Sequence, residues 1–354
     1  MTQRTLAGLV AVVLLGALAA FVVFRPMPYV TYEPGGSIDV LGKSDGKEII
    51  QVKGHKSYRD DGQLRMTTVL VSTPGARLDL FTLMYDWFDP EDDLYPYAAV
   101  YAPNESDDEH RQQGQAEMVD FQQAATAVAE EELGYDVVHV MVRSVTRGMP
   151  AQGHLEKGDE LVSIGGQPVH SRADVQNAIT GAPADQPLDF VVRRGDQDVT
   201  TSITPTRLDG NQIVGIKIGV DFDHPFDVKV RINPNIGGPS AGLMFSLGIY
   251  DTLTPGSLTG DHAIAGTGTM DEGGTVGPIG GIMQKIVGAR NDGAQLFLVP
   301  PDNCDEALQA RNGDMRLVKA VTMHAAVKAI ESWVKNPDAD LPTCRATTDR
   351  KAEG

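Results

Sequence analysis

The sequence predicts an α+β multidomain chain. An N-terminal transmembrane helix comes first, then a β-rich region, a small strand-and-helix module and a larger α/β domain. Three observations lead there. An unbroken apolar run stands near the N-terminus, short alternating strands follow it, and beyond residue 133 strand patterns interleave with helical ones. The expected boundaries are 1–28 for tail and anchor, 29–120 for the β-rich region with an acidic segment, 121–208 for the module, 209–336 for the α/β domain and 337–354 for a disordered tail. Of the 354 residues, 41% are hydrophobic and 22% charged, a globular balance. The net charge of −18 argues against a nucleic-acid partner. Two cysteines, Cys304 and Cys344, are too few for a disulfide scaffold or a cysteine-built zinc site. They are either a pair in an oxidising compartment or two free thiols.

Leu6 to Phe24 is nineteen residues long without one polar side chain. As a helix it reaches roughly 28 Å, about the thickness of a bilayer's hydrocarbon core. A cleaved signal peptide competes, with Ala17-Leu18-Ala19 as its small-residue site. The apolar run continues through Phe21-Val22-Val23-Phe24, which favours an uncleaved anchor. Arg4 and Arg25 flank it almost evenly. The expectation is a single-pass protein of the cell membrane with its C-terminal domains extracytoplasmic.

From Tyr29 to Leu83 short apolar runs alternate with Gly, Pro and Asp, as in Glu48-Ile49-Ile50-Gln51-Val52 and Met66-Thr67-Thr68-Val69-Leu70-Val71. Gly42-Lys43-Ser44 invites a phosphate-loop reading. The spacing to Gly36 is one residue too long and no helix pattern follows, so a polar turn is expected and ATP is not implied. Asp86 to Glu132 carries fourteen acidic residues and one Arg. A solvated linker or helix face is expected there rather than a calcium site, because EF-hand spacing is missing. Ala116 to Leu133 reads as helical.

Val137 to Val142 reads as a buried strand, and Gly158 to Gly166 as turn, strand and turn. Ser171-Arg172-Ala173-Asp174 opens a helix with Val175, Ala178 and Ile179 on one face. Leu188 to Arg193 and Val199 to Ile203 read as two more strands. On the strings Gly148-Met149-Pro150-Ala151 and Leu155-Glu156-Lys157-Gly158-Asp159-Glu160-Leu161, this part resembles a bacterial PDZ domain. The resemblance implies peptide binding by strand addition, with a loop of backbone N–H groups holding the terminal carboxylate. Leu133, Gly134 and Tyr135 stand where that loop is expected. The alternative is a structural module that binds no peptide.

Val228, Val230 and Ile232 alternate as a half-buried strand. A glycine-rich turn through Gly237-Gly238-Pro239-Ser240 follows, and then the apolar run Leu243 to Tyr250. Ser240 therefore stands at a turn that opens a buried helix, where unpaired N–H groups and the helix dipole suit a nucleophile and an oxyanion. Gly238-Pro239-Ser240-Ala241-Gly242 also fits the nucleophile elbow of an α/β-hydrolase. That reading needs a histidine, and neither His262 nor His324 sits in a convincing loop. The other base is Lys285, flanked by Ile282, Met283, Ile286 and Val287. An apolar setting favours its neutral amine, which can take a serine proton.

The strings Gly238 to Gly242, Ala265-Gly266-Thr267-Gly268, Gly274 to Gly281 with Lys285, and Leu298 to Asn303 resemble the proteolytic domain of Lon-like Ser–Lys peptidases. The resemblance implies Ser240 as nucleophile, Lys285 as general base, Thr267 as an orienting group and N–H groups around Gly238 and Ser240 for the oxyanion. It implies no cofactor or metal, and a ring-forming oligomer. Typical members carry an acidic residue where this chain has Gly237. With the apolar run and the PDZ-like part, the layout resembles membrane-tethered Lon-like PDZ proteases of the YlbL type from Gram-positive bacteria. The implied activity is an ATP-independent serine endopeptidase acting on unfolded or small membrane and extracytoplasmic proteins. The competing reading is a tethered PDZ adaptor with an inactive Lon-like domain.

Overall fold

The computed structural model describes residues 3–345 apart from 77, 103, 104, 184, 234 and 235, and apart from the side chains at 19, 22 and 24. In chain order, helix α1 (Gln3–Phe24) leads to strands β1 (Tyr29–Asp39), β2 (Ile50–Lys53) and β3 (Gln63–Val71). Helix α2 (Leu80–Phe88), strand β4 (Asp93–Pro96) and the long helix α3 (Asp107–Glu132) follow. Strands β5 (Val138–Val145) and β6 (Glu160–Ile164), helix α4 (Arg172–Thr180) and strands β7 (Leu188–Arg194), β8 (Gln197–Ile203) and β9 (Ile216–Phe222) form the middle module. Strand β10 (Asp227–Val230), helix α5 (Gly242–Leu253), strand β11 (Ala263–Gly266) and helix α6 (Ile282–Asn291) come next. Strands β12 (Leu296–Val299) and β13 (Arg316–Lys319) and helix α7 (Met323–Lys335) complete the chain.

One mixed sheet has the order β13-β12-β11-β3-β1-β4. Strands β13, β12, β11 and β3 run parallel, and β1 is antiparallel to both β3 and β4. Strand β10 pairs with β2. The sequence pattern predicts a separate β-rich region over 29–120. The structure instead carries that region's strands into the sheet that holds the C-terminal strands. The physical reason is the apolar pattern of β3: Leu64 and Met66 are buried, and they belong to the same core as Leu243, Phe245, Ile264 and Leu298. A second core, with Ala265, Ile282, Ile286 and Phe297, lies between α6 and the other sheet face.

The middle module is a sheet of order β8-β7-β6-β5-β9 around its own core of Val140, Leu161, Phe190 and Val192. Its last strand, β9, lies beyond the boundary expected at 208. Of the two forms expected for the acidic stretch, a solvated linker or a helix face, most of it is helix: it supplies the end of α2, β4 and α3, with Asp107, Asp108 and Glu109 exposed along α3. Asp86 and Glu130 are buried instead. Ser106 and Glu109 form a capping box at the start of α3, and three acids in its first turn suit the positive end of the helix dipole.

Residues 337–345, expected to be disordered, are packed. Leu341 is buried, Lys319 N–H donates to the Pro342 carbonyl at 2.8 Å, and Cys344 is disulfide-bonded to Cys304. The rest of that expected tail, 346–354, lies outside the described residues. Helix α1 runs unbroken through the apolar segment. Among the described residues, which leave out the α1 side chains at 19, 22 and 24, no helix is long and apolar enough to cross a membrane.

Candidate active site

Ser240 lies in a single 3-10 turn, Pro239–Ala241, that runs straight into α5. The turn is approached through Gly238, whose φ of 95° is a left-handed conformation that a side chain would strain. Eleven of the twelve residues of α5 are buried, so the helix is a fixed post behind the serine. Lys285 projects from the first turns of α6. That helix crosses β1 closely enough that a side chain on Gly288 would strike the Gly35 carbonyl.

The structure brings Ser240 and Lys285 together. Both line a cavity of about 650 Å³, walled also by Met66 to Val71 and by the N-terminal half of α3. The link between them runs through Thr267. Its hydroxyl donates to the Ser240 carbonyl at 3.0 Å, and Lys285 Nζ donates to the same Oγ1 at 3.4 Å. Gly268 N–H donates to that carbonyl as well, at 2.9 Å. Lys285 is 3% exposed, and burial alone brings its pKa down from 10.5 to about 7. No carboxylate contributes to that shift. This agrees with Gly237 standing where the Lon-like resemblance implies an acidic residue. A buried ammonium is costly, so burial shifts Lys285 toward the neutral amine.

The N–H of Gly238, expected as an oxyanion donor, donates to the Gly114 carbonyl of α3 at 3.1 Å. Helix α3 therefore lies across the loop that carries Ser240 and engages that N–H. The sequence carried no sign of this, because Gly114 is remote in the chain and unexceptional within a helix.

Neither His262 nor His324 lines the cavity. His262 Nδ1 is 2.8 Å from Gln295 Oε1, with its ring against Trp333, and His324 pairs with Glu132 on the surface. The cavity's histidine is His110, paired with Glu105 at 2.8 Å. Among the described residues, no group of three or more His, Cys, Asp or Glu could hold a metal ion.

Leu133, Gly134 and Tyr135 are not placed to capture a peptide carboxylate. Their N–H groups close the end of α3, donating to the carbonyls of Glu130 and Glu131 at 2.8–3.1 Å. The strand they precede, β5, is paired on both sides, by β6 and β9, so no peptide can be added to it. The open edges are β8 and β9, and α4 packs beside β9. The turn before β9 is Val214-Gly215-Ile216, with Gly215 at φ 82°. Its apolar–Gly–apolar pattern is in the sequence. It comes after the rest of the module, beyond the boundary expected at 208.

Comparisons with known proteins match separate regions of the chain. Residues 113–204 match the PDZ domain family model, and residues 228–330 match that of the Lon protease (S16) C-terminal proteolytic domain. Lon protease 2 of Bacillus subtilis is 28% identical over 120 residues, 33% of this chain and 21% of that protein. Lon protease 1 of Sorangium cellulosum is 41% identical over 120 residues, 32% of this chain and 14% of that one. The PDZ domain of an SdrC-like protein from Listeria innocua aligns with 27% identity and a TM-score of 0.22, covering 23% of this chain and 92% of that one. The chain thus spans about a fifth or less of the length of these curated relatives. By both family models, it is similar to a PDZ domain followed by a Lon-type proteolytic domain.

Proposed function

We propose that this chain is a serine peptidase working through a Ser240–Lys285 dyad. The observation that carries the reading is a buried lysine with no carboxylate partner among the described residues, joined through Thr267 to the serine with which it shares a cavity. In this reading neutral Lys285 accepts the Ser240 hydroxyl proton as Oγ attacks the substrate carbonyl. The resulting ammonium returns that proton to the leaving amine as the peptide bond breaks. Water then attacks the Ser240 ester, losing a proton to Lys285, which passes it to Ser240 Oγ as the C–O bond breaks and the free serine returns. Backbone N–H groups at the start of α5 hold the oxyanion, and Gly238 joins them once Gly114 withdraws.

The PDZ-like module supplies peptide binding at the free edge of β9. The apolar helix α1 anchors the chain in the cell membrane, with the remaining domains extracytoplasmic. The Cys304–Cys344 disulfide supports that side, since such bonds persist in oxidising compartments. Substrates are unfolded or small proteins near the membrane, cleaved without ATP. The purified chain should cleave an unstructured reporter in the absence of nucleotide. Full activity in Ser240→Ala and Lys285→Ala would end the dyad assignment.

A second reading, a tethered PDZ adaptor, has one observation in its favour: the Gly238 donor is already taken by α3. It predicts that wild type and Ser240→Ala bind the same peptides and that neither cleaves.

A further inference from the structure

Helix α2 is amphipathic in the inverted sense. Its one buried residue is Asp86, while Phe81, Met84, Tyr85, Trp87 and Phe88 are exposed. Tyr85 and Trp87 are each 73% exposed and Phe88 77%. Burial returns about 25 cal/mol for each Å² of apolar surface, so a row of large wet side chains marks a face that something covers. Its place says what. The Met27 N–H, just past the end of α1, donates to the Leu78 carbonyl at 2.9 Å, beside the α2 N-cap residue Asp79. Helix α2 also packs against α1.

The chemistry of the face agrees. Tyr and Trp combine a flat apolar body with one polar atom and collect at the headgroup level of a bilayer, with Phe and Met just beneath. No basic residue stands on α2, and its acids are turned inward or lie at its ends. Attachment would therefore be apolar, not a coulombic attraction to anionic lipid.

We propose that α2 lies in the membrane interface beside α1, its aromatic face inserted among the headgroups and the upper acyl chains. The proposal rests on the reading of α1 as an anchor. It also fixes how the body of the protein sits. Val71, Thr73 and Pro74 line the Ser240 cavity just upstream of α2, so the cavity lies near the lipid surface. Extended segments of other membrane proteins, close to where they leave the bilayer, are then the substrates best placed to enter.

Tryptophan fluorescence tests this, because the protein's other tryptophan, Trp333, is buried in the core. The full chain is reconstituted in phosphatidylcholine vesicles, with Trp87→Phe identifying the Trp87 signal. The expected result is blue-shifted Trp87 emission, quenched more by shallow-brominated than by deep-brominated lipid and several-fold protected from aqueous iodide. Added anionic lipid or salt should change little. A chain that floats with vesicles while Trp87 stays solvent-like overturns the proposal and leaves the anchor standing. Protection from iodide without quenching by bromolipid means that protein covers the face, which also overturns it. A chain that does not float at all removes the anchor and this inference together.

Discussion

The N–H of Gly238 donates to the carbonyl of Gly114, 3.1 Å away, across the mouth of the turn that carries Ser240. Helix α3 thereby does two jobs, one at each end. Its first turns roof the Ser240 cavity, and its last turn meets the PDZ-like module. There the buried Glu130 pairs with His224 at 2.6 Å, and Glu131 accepts from the N–H groups of Val137 and Val138.

If α3 is a cover, loosening its start should increase turnover. Ser106→Ala removes the capping box, at a cost of about 1 kcal/mol to the first turns. That is on the order of a fivefold increase in local opening. Hydrolysis of a short peptide should rise by a similar factor. An unchanged or lower rate counts against α3 as a cover.

The pH dependence follows from Lys285. Only the neutral amine can take the serine proton, so kcat/KM should climb through an acid limb with an apparent pKa of about 7. An acid limb in the carboxylate range would point to a different base.

The same shift has a stability consequence of known sign. The folded pKa lies below the unfolded value, so between about 7 and 10.5 the unfolded chain binds more protons. The burial cost is therefore complete below about pH 7 and fades toward pH 10.5. Lys285→Met should abolish cleavage yet stabilise the fold at neutral pH by a few kcal/mol, on the order implied by the shift. Denaturant melts at several pH values should show the gain shrinking as pH rises.

Thr267→Val keeps the shape of the side chain and removes its hydroxyl. The Ser240 carbonyl retains the Gly268 donor, so the turn should survive. Losing one net hydrogen bond of about 1–1.5 kcal/mol should lower kcat about tenfold, with KM little changed. An equal loss in binding of a non-cleavable peptide would mean that the threonine only maintains the pocket's shape.

The Cys304–Cys344 bond closes a loop with a sequence separation of 40 and holds the chain past α7 against the sheet. Cys344→Ser should cost about 2–4 kcal/mol, read as a lower Tm, and reducing agent should reproduce it in the wild type. Equal melts with and without reductant would mean that the bond contributes nothing to stability.

Much of this was legible in the residues. Ser240 at a glycine-rich turn, the buried run of α5, the apolar neighbours of Lys285 and the alternating strands of the middle module are all local patterns. Local patterns report directly on helix and strand periods and on burial. Less was legible wherever the answer depended on a partner remote in the chain. The acidic stretch gave only its charge, yet Glu91 pairs with Arg290 and Asp93 accepts from Gln284, so it straps the helix that carries Lys285. Leu133, Gly134 and Tyr135 had the right composition for a binding loop, but their N–H groups were spent on closing a helix.

The sequence by itself therefore determined the chemistry available: a hydroxyl, an amine in apolar company, a threonine between them in the chain, and an apolar segment ahead of everything else. Only the tertiary structure decided how those groups are used. It placed β1 and β3 in the same sheet as β11, put α3 over the serine, and left β9 as an open edge. Such choices rest on which apolar faces and backbone groups find one another over long separations, a competition that no local pattern records.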